Sequence, residues 1–233
     1  MTDRPILFSG PMVRAILDGR KTQTRRVLKD KYGLLDRYPL TGKIIDYYGN
    51  GTTWGATLVG TTMVIPMRFH PGDRLWCREA FTLTQHDKPV YRADARDQTG
   101  ARWSSITPGD PNGEVKWKPS IHMPRWASRL TLTVTDARVQ RVQDISEADA
   151  IAEGIIEDNV IIGCHGSTGV HVEVTADRYW HGAEPEDFEG HEYAEDAFAA
   201  LWDDLNAARG YGWEENPWVV ALTFTAEQRN IDA

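Results

Sequence analysis

The spacing of apolar residues predicts a chain built mostly of strands, with a short helix near its start. Residues 6–8 form an apolar run, and apolar residues then recur at helical intervals over 12–17. Pro11 suits the first turn of that helix and Gly19 its end. The polar and basic stretch 20–27 that follows is predicted to be an extended segment or a turn.

Five later segments carry strand patterns, since they are rich in β-branched and aromatic residues or alternate apolar with polar ones. They are residues 43–48, 63–67, 74–81, 130–134 and 218–224. The alternation in the third of these segments places Glu79 on the apolar face of Leu75 and Cys77. A carboxylate on such a face needs a cation as its partner, and Lys21 is the candidate.

Two further helices are predicted in the second half of the chain. Ser146 with Asp149 three residues later is a helix-capping pattern, and Gly154 ends that segment. Apolar residues at helical spacing predict another helix that ends at Gly210, with its apolar stripe facing the core. The stripe consists of Phe198, Leu201, Trp202 and Leu205.

Two long stretches lack a regular pattern. Residues 82–128 are predicted to be mostly polar loop, and residues 157–192 to be an irregular insertion. Separate strands and helices without an alternating rhythm indicate an α+β fold with a curved or barrel-like sheet. We expect a single domain over residues 1–233 that carries the insertion at 157–192.

The composition is that of an ordinary soluble globular protein, with 41% hydrophobic residues among 233. No apolar run approaches the roughly 20 residues of a membrane span, and the start of the chain lacks the apolar core of a secretory signal. A cytoplasmic location without membrane contact is therefore expected. The two cysteines, Cys77 and Cys164, lack the paired spacing of a zinc site or disulfide framework, so we expect reduced thiols, no metal and no cofactor.

Charge is distributed unevenly along the chain. Its net charge is −8, yet residues 1–31 hold eight basic and three acidic residues, a net +5 that leaves −13 for the remainder. An acidic protein is not expected to coat nucleic acid by bulk electrostatics. A locally positive region suits a small anionic or nucleoside ligand, or a short RNA.

The basic stretch contains the candidate catalytic chemistry. Lys21 and Thr24 stand three residues apart, and a lysine whose pKa is lowered by burial or by neighbouring cations can take the proton of a hydroxyl nucleophile. The same pair is also typical of a solvated basic turn, and Glu79 of an ion pair at a strand end. Residues 117–129, rich in proline, tryptophan and basic residues, suit either stacking on a base or bracing of the core.

Several blocks of the sequence together resemble the ASCH domain family, in the long version common in phages and prophages. They are Ile-Leu-Phe-Ser at 6–9, the helix at 11–19, Arg-Lys-Thr-Gln-Thr-Arg-Arg at 20–26, Gly-Asp-Arg-Leu-Trp-Cys-Arg-Glu at 72–79, His-Met-Pro-Arg-Trp-Ala-Ser-Arg at 122–129, Leu-Trp-Asp-Asp-Leu-Asn at 201–206 and Asn-Pro-Trp-Val at 216–219. These blocks are spread over most of the chain. Residues 32–62, 82–116 and 157–192 lie outside them.

The resemblance implies a PUA-like β-barrel with flanking helices and insertions, a fold associated with RNA, in a bacterial or phage-infected cell. Small members of the family are amidohydrolases that remove acetate from N(4)-acetylcytidine with a lysine, a threonine three residues on and a glutamate on a later strand. Lys21, Thr24 and Glu79 match those positions. Another member is a ribonuclease, so membership alone does not determine the reaction, and this chain is much longer than the small amidohydrolases.

We therefore expect an amidohydrolase that acts on an acylated nucleobase or nucleoside. Lys21 would take the proton of Thr24, whose hydroxyl attacks the acyl carbon, while Glu79 orients the lysine or handles protons at the leaving amine. In a second scheme Lys21 polarises the acyl oxygen and Glu79 activates water. The predicted substrate-binding residues are Arg26, Trp76, Arg78 and Trp126. The alternative functions are a non-catalytic module that binds RNA or a modified nucleotide, and a ribonuclease.

Overall fold

Strands dominate the fold, as the sequence pattern predicts. The computed structural model describes residues 3–29, 54–58, 61–65, 68–84, 86–94, 116–165, 172–180 and 190–233. The strands in these ranges are β1 (Asp3–Leu7), β2 (Gln23–Val27), β3 (Trp54–Leu58), β4 (Thr61–Ile65), β5 (Arg74–Arg78), β6 (Phe81–Leu83), β7 (Pro89–Tyr91), β8 (Thr131–Arg141), β9 (Ile156–His165), β10 (Val172–Trp180) and β11 (Trp218–Glu227). The α-helices are α1 (Gly10–Leu17), α2 (Glu147–Ala152) and α3 (Ala194–Asn206).

The chain divides into two compact units, each assembled from segments that are distant in sequence. The first unit comprises Met1–Thr22, Pro71–Thr135 and Phe224–Ala233. The second comprises Gln23–His70 and Asp136–Thr223. The expected single domain over residues 1–233 stays a prediction.

The largest sheet has the strand order β1-β5-β8-β11-β2. In the first unit, β1 runs parallel to β5, which sets Leu7 opposite Arg78, and β5 runs antiparallel to β8. In the second unit, β2 pairs antiparallel with β11, which sets Thr24 opposite Leu222. Open sheets and separate helices in the described part of the chain confirm the predicted α+β class.

Two segments that were predicted to be irregular contain β-hairpins. β9 and β10 pair antiparallel, so the prediction of an irregular insertion over 157–192 is wrong where the structure describes that segment. β6 and β7 likewise form a hairpin at the start of the predicted polar loop 82–128. Backbone pairing does not require apolar alternation, and the polar run 157–159 interrupts it at the start of β9, although residues 172–177 of β10 do alternate. The sequence pattern therefore missed these strands.

The ends of the predicted helices follow local rules. α1 is followed by Gly19 with a φ of 76°, a left-handed conformation that favours glycine at the end of a helix. Ser146 caps α2, because its hydroxyl oxygen accepts from the backbone N–H of Asp149 at 3.3 Å. Gly154 and Gly210 both have positive φ, as predicted for residues that end helical segments.

Strand bounds differ from the prediction in several places. β5 ends at Arg78, so Glu79 lies just beyond the strand rather than within it. β4 overlaps the predicted strand 63–67. It pairs with β3, a strand that the sequence did not predict. β8 and β11 are both longer than predicted. The predicted strand 43–48 lies outside the described residues.

Each unit has its own apolar interior. In the first unit, Leu75 and Leu132 are buried on the paired strands β5 and β8, together with Leu130 just before β8. In the second unit, Phe198 and Trp202 of α3 belong to a buried cluster, which confirms the predicted core stripe, although Leu205 is exposed. No helix among the described residues is long and apolar enough to cross a membrane.

Candidate functional site

Lys21 lies where the chain leaves α1, and it is buried. Its backbone N–H donates to the carbonyl of Ala15 at 2.9 Å, a contact that follows the left-handed turn at Gly19. The residue is only 1% exposed, and its Nζ lies 5.9 Å from the centre of the Phe8 ring. A solvated basic turn is therefore the wrong interpretation of Lys21.

Phe8 contacts both chain segments that carry the buried residues Lys21 and Glu79. Its ring faces Lys21, while its backbone N–H donates to the carbonyl of Arg78 at 3.1 Å, one residue before Glu79. The Phe8 ring also packs against Phe224, with 6.5 Å between ring centres. These aromatic contacts exclude water from the ammonium of Lys21, and electrostatic interactions are stronger where water is excluded.

Glu79 directly follows β5 and is also only 1% exposed. Arg129 donates to both of its oxygens, from Nε to Oε1 at 2.8 Å and from Nη2 to Oε2 at 3.0 Å. Burial raises the pKa of the Glu79 carboxyl, and the hydrogen bonds and charge of Arg129 offset only part of that rise. The sequence predicted the burial of Glu79 but did not single out Arg129 as a cation partner of its carboxylate. The expected pair of Glu79 with Lys21 stays a prediction.

Arg129 has two further contacts on the side away from Glu79. Its Nη1 donates to Oδ2 of Asp94 at 2.7 Å, and its Cζ lies 4.0 Å from the centre of the Tyr91 ring. The Tyr91 hydroxyl in turn donates to the carbonyl of Ala127 at 2.9 Å. The guanidinium is thus held at its edges by carboxylates and on one face by an aromatic ring.

The segment that carries Arg129 is fixed by hydrogen bonds to its backbone and to β5. The buried hydroxyl of Ser128 donates to the carbonyl of Cys77 at 3.0 Å, which joins this segment to the strand that precedes Glu79. Nδ2 of Asn230 lies between 2.7 and 3.2 Å from three carbonyl oxygens of the same segment. Arg129 therefore approaches Glu79 from a segment held at several points.

Thr24 belongs to β2 and is described with the second unit, where it is buried. The next residue, Arg25, connects β2 to α2 and to Glu153, which directly follows α2. Its Nη2 donates to Asp149 at 2.7 Å and its Nη1 to Glu153 at 3.2 Å. The sequence singled out Lys21 and Thr24 in this stretch but missed Arg25, because its acidic partners lie more than a hundred residues away in the chain.

The predicted substrate-binding residues differ widely in exposure. Trp76 is buried, and the Arg78 guanidinium covers its ring with Cζ 5.3 Å from the ring centre. Arg78 also donates to the carbonyl of Ile121. Trp126, in contrast, is 56% exposed, while Arg26 is half-buried in β2 of the second unit. Of the two tryptophans, Trp126 is the one that presents its ring to solvent.

The site residues of the first unit are thus Lys21, Glu79 and Arg129, and their chemistry is that of proton transfer and charge stabilisation. Within the described residues, no group of histidine, cysteine, aspartate and glutamate side chains is arranged to hold a metal ion. Comparisons of the chain with protein-family models, with curated proteins and with solved structures found no match. The resemblance to the ASCH family therefore rests on the sequence blocks quoted above.

Proposed function

We propose that this protein is an ASCH-type amidohydrolase, with the PUA-like form of sheet typical of that family, which removes an acyl group from the exocyclic amine of a modified nucleobase or nucleoside. The observation that carries the proposal is the burial of Lys21, beside Phe8, and of Glu79 within the same compact unit. Lysine and glutamate are rarely fully buried in proteins, and buried ionisable groups concentrate at functional sites. N(4)-acetylcytidine is the model substrate, and the cytoplasm of a bacterial or phage-infected cell is the proposed location.

The proposed reaction proceeds through an acyl-enzyme. Lys21 accepts the proton of the Thr24 hydroxyl as its oxygen attacks the acyl carbon, and the bond between carbon and nitrogen then breaks. The leaving amine takes the proton from Lys21, and water hydrolyses the Thr24 ester to release the carboxylic acid. Thr24 has this role because Lys21 and Thr24 match the lysine and threonine of the family's small amidohydrolases. Glu79 supplies a negative charge that favours the protonated lysine formed in the first step.

A second candidate function is non-catalytic binding of a short RNA. The observation that favours it is the exposed ring of Trp126, which lies in a segment that also carries Arg125 and Arg129. Exposed aromatic rings beside basic side chains stack on the bases of single strands. In that case the buried Lys21 and Glu79 have a purely structural role.

One assay separates the candidates. Purified protein is incubated with N(4)-acetylcytidine and, separately, with unmodified RNA, and the release of cytidine or of RNA fragments is followed by chromatography. We expect cytidine release by the unmodified protein, and its loss in Lys21→Ala and Thr24→Ala. The control is Arg20→Ala, which removes an exposed cation next to Lys21 and should leave the rate unchanged.

Three results would contradict the proposal. RNA cleavage without deacetylation would support a ribonuclease, for which His122 in the exposed 3-10 turn Ser120–His122 would be the first residue to substitute. Tight RNA binding without turnover of either substrate would support the binding module. Deacetylation that persists in both variants would show that the chemistry lies elsewhere in the chain. Circular dichroism of each variant verifies that it is folded.

A further inference from the structure

We propose that Arg129 is a positioning residue that fixes the Glu79 carboxylate as a stationary negative charge, so that Glu79 does not carry protons during the reaction. The catalytic part of this inference rests on the proposed amidohydrolase function. The geometric part does not, because it concerns the ion pair itself. It favours an orienting, electrostatic role for Glu79 over the two proton-carrying roles that the sequence left open.

The geometry of the pair is the first argument. Arg129 approaches with its Nε and Nη2 edge, and each nitrogen donates to a different oxygen of Glu79, at 2.8 and 3.0 Å. This two-point arrangement is the strongest form of the arginine–carboxylate pair, and it fixes the plane of the carboxylate as well as its position. An oxygen that already accepts such a hydrogen bond is a poor base towards a water molecule. Arginine itself stays protonated, so it cannot pass a proton on.

The surroundings of Arg129 are the second argument, because they oppose its movement away from Glu79. Its Nη1 donates to Asp94 at 2.7 Å, and its guanidinium stacks on Tyr91 at 4.0 Å. Swinging the side chain out would break both contacts in addition to the pair with Glu79. The backbone is held as well, since Ser128 bonds to Cys77 and Asn230 bonds to the same segment.

The charges around Glu79 determine whether the pKa of its carboxyl rises or falls when a neighbour is removed. Asp94 and the phenol of Tyr91 face the pair from the segment around β7, and Arg129 faces it from the segment before β8. Burial and the negative charge of Asp94 favour the protonated carboxyl, whereas Arg129 favours the ionised one. Loss of the arginine leaves only the influences that favour protonation. The pKa of Glu79 should then rise.

The test uses Arg129→Ala, Arg129→Lys and a matched control, Arg125→Ala. Arg125 lies in the same segment and also pairs with carboxylates, but its partners are Asp3 and Asp232. The titration of Glu79 is measured by carbon-13 NMR of protein labelled at the glutamate carboxyls, with Glu79→Gln to assign the signal. We expect the midpoint to rise by about one pH unit or more in Arg129→Ala, to rise less in Arg129→Lys and to stay unchanged in the control.

The activity readout follows the pH dependence of N(4)-acetylcytidine hydrolysis in the same variants. The acid limb of kcat should move to higher pH in parallel with the NMR midpoint, with partial recovery in Arg129→Lys. An unchanged Glu79 midpoint in Arg129→Ala would overturn the proposal, as would an acid limb that does not follow the midpoint. If Arg129→Ala does not fold, Arg129→Lys decides by the same criterion. A shifted midpoint in a protein that never hydrolyses the substrate would leave the ion-pair inference standing and overturn the proposed function.

Discussion

Lys21 is buried, although lysine side chains usually lie at the surface. A buried ammonium lowers the stability of a folded protein unless polar partners compensate for the lost hydration. Lys21→Met keeps most of the apolar stem and removes the charge, so we expect kcat for deacetylation to fall by about 10²- to 10⁴-fold, the usual contribution of a general base. Because methionine keeps the apolar contacts of that stem, we expect the variant to stay folded. Steady-state kinetics measures kcat, and urea denaturation measures the stability of the variant. A near-normal kcat would contradict the assigned role of Lys21.

Glu79 should make stability depend on pH in an unusual direction. Because its folded pKa is raised above the ordinary value of 4.5, the folded protein holds this proton more tightly than the unfolded chain. Its contribution to stability is fully present below pH 4.5 and is lost as the pH rises through the folded pKa. Urea denaturation of the unmodified protein and of Glu79→Gln, between about pH 4 and 7, should therefore give a difference that changes in favour of Glu79→Gln as the pH rises. A difference that changes in the opposite direction would contradict the burial argument.

For single residues, the sequence predicts which side chains are buried better than it predicts which side chains form ion pairs with them. Alternation over 74–81 placed Glu79 on the face of Leu75 and Cys77, and all three are buried. Alternation is a local property, so short stretches of chain reveal it. The partner of Glu79 is fifty residues further along the chain, and no local pattern distinguishes Arg129 from other arginines. The same reason explains why Arg25 was missed.

Arg25 attaches β2 to the α2 region through two ion pairs. The Arg25 side chain is fully buried, and it pairs with Asp149 and Glu153, which are themselves largely buried. Arg25→Ala leaves both carboxylates without this cation, so we expect a loss of about 3–5 kcal/mol in the free energy of unfolding. The measurement is urea denaturation of the two proteins at neutral pH.

Arg138→Ala is the matched control for that experiment. Arg138 pairs with the same Asp149 at 3.3 Å, but its side chain is 44% exposed. Exposed ion pairs contribute about 0–1 kcal/mol. Equal losses in the two variants would show that burial of the Arg25 pairs does not determine their contribution.

Helix ends with a strong local signal were predicted, whereas strands with a weak or interrupted signal were not. The end of α1 at Gly19 and the cap of α2 at Ser146 follow from single residues with strong conformational preferences. The hairpin of β9 and β10 has only a partial marker, because residues 172–177 alternate apolar with polar whereas the polar run 157–159 interrupts the alternation in β9. The sequence therefore predicted the helices more completely than the strands.

At the scale of the whole molecule, the two units differ sharply in charge. The segments of the first unit contain 15 basic and 11 acidic residues, a net +4, and those of the second contain 11 basic and 23 acidic residues, a net −12. The early positive stretch was visible in the sequence, but the assignment of charge to units was not, because each unit combines distant segments. The net charge of −8 thus conceals a positive unit, which is the one that carries Lys21, Glu79 and Trp126.

The positive charge of the first unit predicts how the affinity for an RNA substrate depends on salt. If the acylated base is held in a short RNA, phosphates contact basic residues of the first unit, and log KM should rise linearly with log salt concentration, by about 0.7 for each phosphate contact. KM for the free nucleoside, which has no phosphate, should stay constant over the same range. Measuring both substrates from low to physiological salt gives the number of contacts directly. Equal salt dependence for the two would contradict this prediction, since it would mean that the phosphates of the RNA contribute no electrostatic binding.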